Sequence, residues 1–227
     1  MNSKNRPRRM IAALVAMAFA GTAAAAEPGF YISGTLGQSS IDVGRNEQDM
    51  LDSEILGALE DLGFTITNGR SELDKSVMGY ELAAGYQFTP YFAVEGGWID
   101  LGAAQYEAEF TADDGGGPLQ GEAEVEIGAS GPALSLVGIW PLGESFSVDV
   151  RAGAFFAKSK VKVELELDGD SGSESESDTK TQVLLGAGVN WTVAERTTLR
   201  LGYTHFDKGV GDEFDVGRFS LGVKYAF

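Results

Sequence analysis

The sequence has no cysteine and one histidine among 227 residues. A disulfide framework and a thiolate metal site are therefore excluded, and a transition-metal centre would have only His205 and carboxylates to draw on. Long apolar runs are missing as well. After residue 26 nothing approaches the length of a membrane-spanning helix, so any insertion into a bilayer must be by strands. Basic residues are scarce, with 17 Lys and Arg against 34 Asp and Glu. That balance excludes nucleic acid as a partner, because a binder needs a basic patch.

Residues 1–26 are laid out as a secretory signal peptide. Lys4, Arg6, Arg8 and Arg9 precede an apolar run from Met10 to Ala20, and small residues end at Ala24-Ala25-Ala26. Cleavage is expected before Glu27, leaving residues 27–227 as one domain. A transmembrane anchor is the competing reading, but the run is short for a bilayer and no stop-transfer pattern follows.

What the rest of the chain does have is alternation. Phe219, Leu221, Val223, Tyr225 and Phe227 share one face of an extended strand, and Ser220, Gly222, Lys224 and Ala226 share the other. Eight such segments are expected near 29–40, 77–88, 91–102, 131–140, 145–158, 181–191, 196–206 and 216–227. In 131–140 both faces carry apolar residues, so its orientation stays open. Short connections at Thr89-Pro90, Pro141 to Glu144 and Thr192 to Glu195 alternate with long ones at 41–76, 103–130, 159–180 and 207–215. An antiparallel ring with all short turns on one side follows. The expected fold is all-β: an eight-stranded antiparallel transmembrane β-barrel with long extracellular loops, exported to a cell outer membrane. Eight strands give an interior that side chains can fill.

The long connections have features of their own. Residues 104–110 and 121–127 alternate and read as one hairpin above the membrane, and Val161, Val163, Leu165 and Leu167 continue the fifth strand. Leu51, Ile55, Leu59 and Leu62 stand at helical spacing, predicting a short amphipathic helix in 49–62. Asp168 to Asp178 has the composition of a mobile segment. The aromatic residues Phe88, Tyr91, Phe92, Trp140, Phe146, Trp191, Tyr225 and Phe227 stand beside the short turns, where a membrane-interface girdle is expected.

Charge is distributed unevenly. The formal net charge of −17 becomes −21 once the four basic residues of the leader are removed. All of it falls in residues 41–76, 103–130, 161–180 and 207–215; the remaining segments balance, seven acids against seven bases. Weak, multi-site divalent-cation binding by these acidic loops is expected. Asp168-Gly169-Asp170-Ser171-Gly172 lacks the later ligands of a calcium loop, and no discrete metal site is assigned. Inside the barrel, Glu81, Glu95, Asp149, Arg151, Arg200, Arg218 and Lys224 would share the lumen, and isolated buried charges are costly enough that they should pair. Such a network reads as a structural plug, as a switchable gate for small ions, or as a catalytic dyad.

The hairpin with Gly85-Tyr86-Gln87-Phe88, Ala93-Val94-Glu95 and Asp100-Leu101-Gly102 resembles the second hairpin of the OmpA-like outer-membrane β-barrel family. Gly222, Tyr225 and Phe227 resemble that family's carboxy-terminal assembly signal. The resemblance implies insertion by the barrel assembly machinery and contact with outer-membrane lipid and lipopolysaccharide. It implies no single activity, since relatives serve as structural proteins, narrow pores, adhesins and immune-evasion surfaces. The peptidoglycan-binding domain of some relatives is expected to be absent. Some eight-stranded barrels modify lipid A with a histidine, a serine and a carboxylate; the lipid A deacylase pattern puts the serine two residues after the histidine, and here Asp207 stands in that place after His205. The expected function is a non-enzymatic envelope barrel, without cofactor, in which acidic loops serve structure and surface interaction with a host or matrix ligand. The alternatives are a narrow ion channel gated by lumenal charges and a lipid A hydrolase.

Overall fold

A strand between lipid and a filled lumen must put apolar residues outside and small or polar residues inside, and a period of two does this. In the computed structural model of the chain, the described residues are 28–41, 57, 65–73, 76–113, 117–167, 170–210 and 214–227. The predicted leader and the helix expected in 49–62 lie outside them, Gly57 apart. The described residues form β1 (Gly29–Ile41), β2 (Thr65–Leu73), β3 (Ser76–Thr89), β4 (Phe92–Asp113), β5 (Pro118–Pro141), β6 (Phe146–Leu167), β7 (Asp170–Ala194), β8 (Thr197–Val210) and β9 (Phe214–Ala226).

Eight of these close a ring. From β3 to β9 each strand pairs antiparallel with the next, and β1 lies between β3 and β9, with Tyr31 opposite Ala226 and Ser39 opposite Arg218. The seam is completed at the end of β9, where the Phe227 amide donates to the Phe30 carbonyl at 3.1 Å. Closure leaves the membrane-embedded wall without a free edge.

The outer face is apolar as expected. Phe219, Leu221, Val223, Tyr225 and Phe227 are all exposed on it. The girdle beside the short turns is present, with Phe146 stacked on Trp191 at 6.1 Å between ring centroids and Tyr225 edge-on to Phe227 at 5.6 Å. The orientation of 131–140 is now defined. Leu134 and Leu136 point out, whereas Ser135, Val137 and Ile139 are buried inside.

Above the membrane the structure departs from the loop picture. The 103–130 connection is a β4–β5 hairpin paired from Ala103–Gly128 to Asp113–Pro118, as its alternation suggested. The segment expected to be mobile is instead a strand: Asp170 to Asp178 pairs with Ser159 to Leu167 along β6. Its Ser/Glu composition lacks a core-facing pattern, and the partner strand supplies the order. β2, where the sequence suggested only a connection, pairs with the outer part of β4. Much of what reads as long loops is therefore a sheet, β2-β4-β5-β6-β7, that extends the barrel wall outward.

A bulge marks the transition in β4. The register shifts between Asp100 and Ala103, and Gly102 takes φ +83° while its amide donates to Asp100 Oδ1 at 2.8 Å. Any other residue would be strained there, and a Cβ would stand 2.5 Å from the Met78 carbonyl oxygen.

Candidate functional site in the barrel lumen

The inward positions of the ring stack in layers. Nearest the short turns lies a small apolar layer of Tyr31, Ala93, Val137 and Ile139. A polar layer follows. Towards the outer end the lumen is filled by Ile99, Leu101, Ala129, Phe155, Ala157, Leu184, Phe206 and Val216. Phe155, Leu184 and Phe206 are each 0% exposed, and the two phenylalanine rings meet edge-on at 5.4 Å.

Six of the seven charged residues expected in the lumen sort into two ion-paired clusters and one carboxylate held by a hydroxyl. Arg151 donates to both oxygens of Glu81, at 2.6 and 3.0 Å, a bidentate pairing that fixes orientation as well as charge. The same guanidinium donates to Thr204 Oγ1 at 2.8 Å. Arg218 donates to Glu81 Oε2 at 3.2 Å and to Thr35 Oγ1 at 3.1 Å. In the second cluster Asp149 accepts from Arg200 at 2.6 and 3.2 Å and from Asn190 at 2.7 Å. Glu95 accepts the Tyr31 hydroxyl at 2.8 Å, and the seventh residue, Lys224, lies over the Tyr31 ring with Nζ 4.9 Å from the centroid.

The pairing differs from the simplest sequence expectation, in which each acid takes a basic partner. Glu81 takes two arginines and Glu95 takes a tyrosine. Tyr31, Thr35, Asn190 and Thr204 are the participants that charge reasoning missed. Their signal is parity: Tyr31 alternates with Ser33 and Thr35, on the inward face rather than the lipid face. Glycines opposite the charges carry a second signal. Gly186 is the register partner of Arg151 and Gly188 that of Asp149. A Cβ at Gly186 would stand 2.9 Å from Arg151 Cγ, and one at Gly188 would stand 2.7 Å from Asp149 Oδ2. These glycines make the room that the large polar side chains occupy.

His205 is not part of the lumen. It lies at the outer rim, half-exposed, with Nε2 3.8 Å from Asp215 Oδ2. Among the described residues no group of three or more His, Asp or Glu is placed to hold a metal ion. Of the expected assembly residues, Tyr225 and Phe227 face outward at the girdle. Gly222 faces inward against β1, where a Cβ would collide with the Gly34 carbonyl and Thr35.

A closed eight-strand ring, girdled outside and filled inside, is matched by the OmpA-like transmembrane domain over residues 25–227. The chain belongs to that family. Members of the OmpA-like family are outer-membrane barrels, and this chain is one. No curated protein matches the sequence. Among solved structures the barrel is similar to Ail, the attachment invasion locus protein of Yersinia pestis, with 20% identity, 89% of this chain and 100% of Ail covered, and a TM-score of 0.43. It is similar also to OprG of Pseudomonas aeruginosa, with 15% identity, 88% and 96% covered, and a TM-score of 0.45. Neisserial surface protein A gives 14% identity, 88% and 97% covered, and a TM-score of 0.41.

Proposed function

We propose that this OmpA-like barrel is a non-enzymatic, non-conducting protein of the outer membrane that serves envelope structure and surface interaction. The observation that carries the reading is the double closure of the lumen. A polar layer with bidentate pairing and an apolar layer with fully buried rings lie in series along the axis. Opening the ion pairs alone leaves the apolar layer in place, and a dry apolar constriction is itself a barrier to ions. The gated-channel reading needs both layers to move.

Surface interaction falls to the sheet above the membrane. Its outward positions include Glu107 and Glu109 on β4, Glu122, Glu124 and Glu126 on β5, and Glu164 and Glu166 on β6. A host or matrix ligand for this wall would be basic; a polyanion would be repelled. Catalysis on lipid A has no support from His205, which lies at the outer rim with Asp207 in the place of the serine that such barrels use. In this reading residues 1–26 are a cleaved leader, and Gly222, Tyr225 and Phe227 present the closing strand to the barrel assembly machinery.

Planar-bilayer recording tests the closure. The wild-type protein is expected to give no discrete conductance. Regular single-channel steps from it would overturn the non-conducting assignment. Envelope integrity and host-cell binding in a deletion strain test the role.

A further inference from the structure

The ring closes between two strands that share no turn. β1 and β9 pair from Tyr31–Ala226 to Ile41–Val216, and no hairpin loop joins them to fix which residue faces which. A slip of one residue would turn the apolar faces inward, so parity forbids it. A slip of two, roughly 7 Å along the strand, keeps every side chain on its face and leaves the ladder of backbone bonds intact. The lipid side does not resist such a slip, because Phe219, Leu221 and Val223 are all exposed and apolar, as are Ile32 and Leu36 opposite them. The register must therefore be specified on the lumenal side.

There one chain of contacts spans four strands. Tyr31 on β1 and Glu95 on β4 are both register partners of Gly85 on β3. The Tyr31 ring crosses over that glycine, where a Cβ would stand 2.5 Å from the hydroxyl, and the hydroxyl donates to Glu95 Oε1 at 2.8 Å. From the other side of the seam Lys224 on β9 lies over the same ring, with Nζ 4.9 Å from its centroid. Lys224 forms no ion pair among the described residues. Beside it a cavity of about 20 Å³, lined also by Glu95 and Asp149, has room for about one water to solvate the ammonium in place. Tyr31 itself is buried, so bulk water does not compete for its hydroxyl. A second contact crosses the seam, from Arg218 to Thr35, at the end of a long side chain that also reaches Glu81.

We infer that Tyr31, anchored by Glu95 and covered by Lys224, is the positioning residue that sets the register of the closing strand on β1. The bond to Glu95 fixes the ring relative to β3 and β4, whichever way β9 arrives. Lys224 is opposite Ser33 in the observed register, and a slip of two places it opposite Tyr31 or Thr35 instead. The start of its side chain then moves by roughly 7 Å against a ring that has not moved, and the contact is lost.

The chain has no cysteine, so an introduced pair reports on its own position alone. Leu36 is opposite Leu221, and a slip of two brings Phe219 or Val223 opposite it. Leu36→Cys is combined in turn with Leu221→Cys, Phe219→Cys and Val223→Cys in the full chain. Each protein is refolded in detergent micelles and oxidised, and the folded band on unboiled gels is scored for the cross-link. With Tyr31 in place the 36–221 cross-link is expected to exceed the other two by at least about tenfold. Tyr31→Leu should raise the slipped share roughly tenfold, since it removes a hydrogen bond and a cation–π contact that are each worth a factor of a few. Tyr31→Phe keeps the ring and Lys224→Met keeps the hydroxyl bond, so each should raise it roughly threefold. Phe155→Ala, which loosens the upper lumen away from the seam, should leave the partition unchanged. An unchanged slipped share in Tyr31→Leu would overturn the inference, and so would an equal rise in Phe155→Ala, which would mark general loosening. If Tyr31→Leu gives no folded band, Tyr31→Phe and Lys224→Met decide, and no rise in either would overturn it.

Discussion

The lower and upper halves of β6 follow opposite rules although they are one strand with one parity. Below Phe156 the outward residues Val150, Ala152, Ala154 and Phe156 are apolar or small, and the inward ones include Asp149 and Arg151. Above it the outward residues are Lys158, Lys160, Lys162, Glu164 and Glu166, and the inward ones run Ala157, Ser159, Val161, Val163, Leu165. The inversion follows from solvent. Lipid outside favours apolar side chains and leaves the polar groups to pair inside; water outside reverses the preference. The change inside begins one rung earlier, at Phe155, so an apolar plug lies beneath the acidic sheet.

The largest effect is expected where the lower half closes. Deleting Phe227 removes the amide that donates to Phe30 and the ring that packs on Tyr225. Loss of the folded, heat-modifiable band on unboiled gels is the expected result. A normal amount of that band would show that closure does not depend on this residue.

Next comes the polar layer. Glu81→Gln leaves Arg151 and Arg218 facing each other without their shared carboxylate. Removing one partner of a buried pair costs roughly 3–5 kcal/mol. Arg218→Met should cost less, because Glu81 keeps its bidentate bond to Arg151. Urea unfolding in micelles measures both, and equal losses would mean that Arg218 matters as much to Glu81 as Arg151 does.

The upper lumen should respond differently. Phe155→Ala opens a cavity against Phe206 and should cost about 3 kcal/mol, with no dependence on the charge state of the layer below. Combined with Glu81→Gln the losses should add to within about 0.5 kcal/mol, as expected of sites without shared partners. A large coupling between them would mean that the two layers act as one unit, which would favour gating.

Most of the ring was legible in the sequence because the lipid-facing side chains recur at every second position. Residues 77–88 and 181–191 show it, with their apolar parity facing out. Legibility failed where the inside was apolar too. Residues 131–140 carry Leu134 and Leu136 for the lipid and Val137 and Ile139 for the inner layer, so period alone could not orient them. The site was legible as a set of charges and illegible as a set of partners. Parity placed Glu81, Arg151 and Arg218 inside, but which carboxylate meets which guanidinium depends on barrel shear, which no local pattern records. The strand at 170–178 was missed because its order is supplied by β6 across the register and not by its own Ser/Glu composition.

The smallest effect concerns the upper sheet. Glu107, Glu124 and Glu164 are consecutive register partners across β4, β5 and β6, and Glu109, Glu122 and Glu166 form a second such row. Like charges directly opposite across strands destabilise by roughly 0.2–1 kcal/mol each. Their Cβ atoms are about 5 Å apart, well inside a Debye length of about 10 Å at 0.1 M salt, so monovalent salt screens neighbouring pairs only in part. Neutralising the central residue should therefore do more than salt. Glu124→Gln is expected to slow amide exchange in residues 104–109 and 122–127 by roughly two- to fivefold, while leaving exchange in the membrane-embedded part of β6 unchanged. Millimolar calcium should act in the same direction on the wild type, through loose association with the two rows, and its effect should shrink in the variant. If exchange in the upper sheet ignores both the substitution and the cation, the glutamate rows are solvated well enough that their repulsion does not reach the backbone.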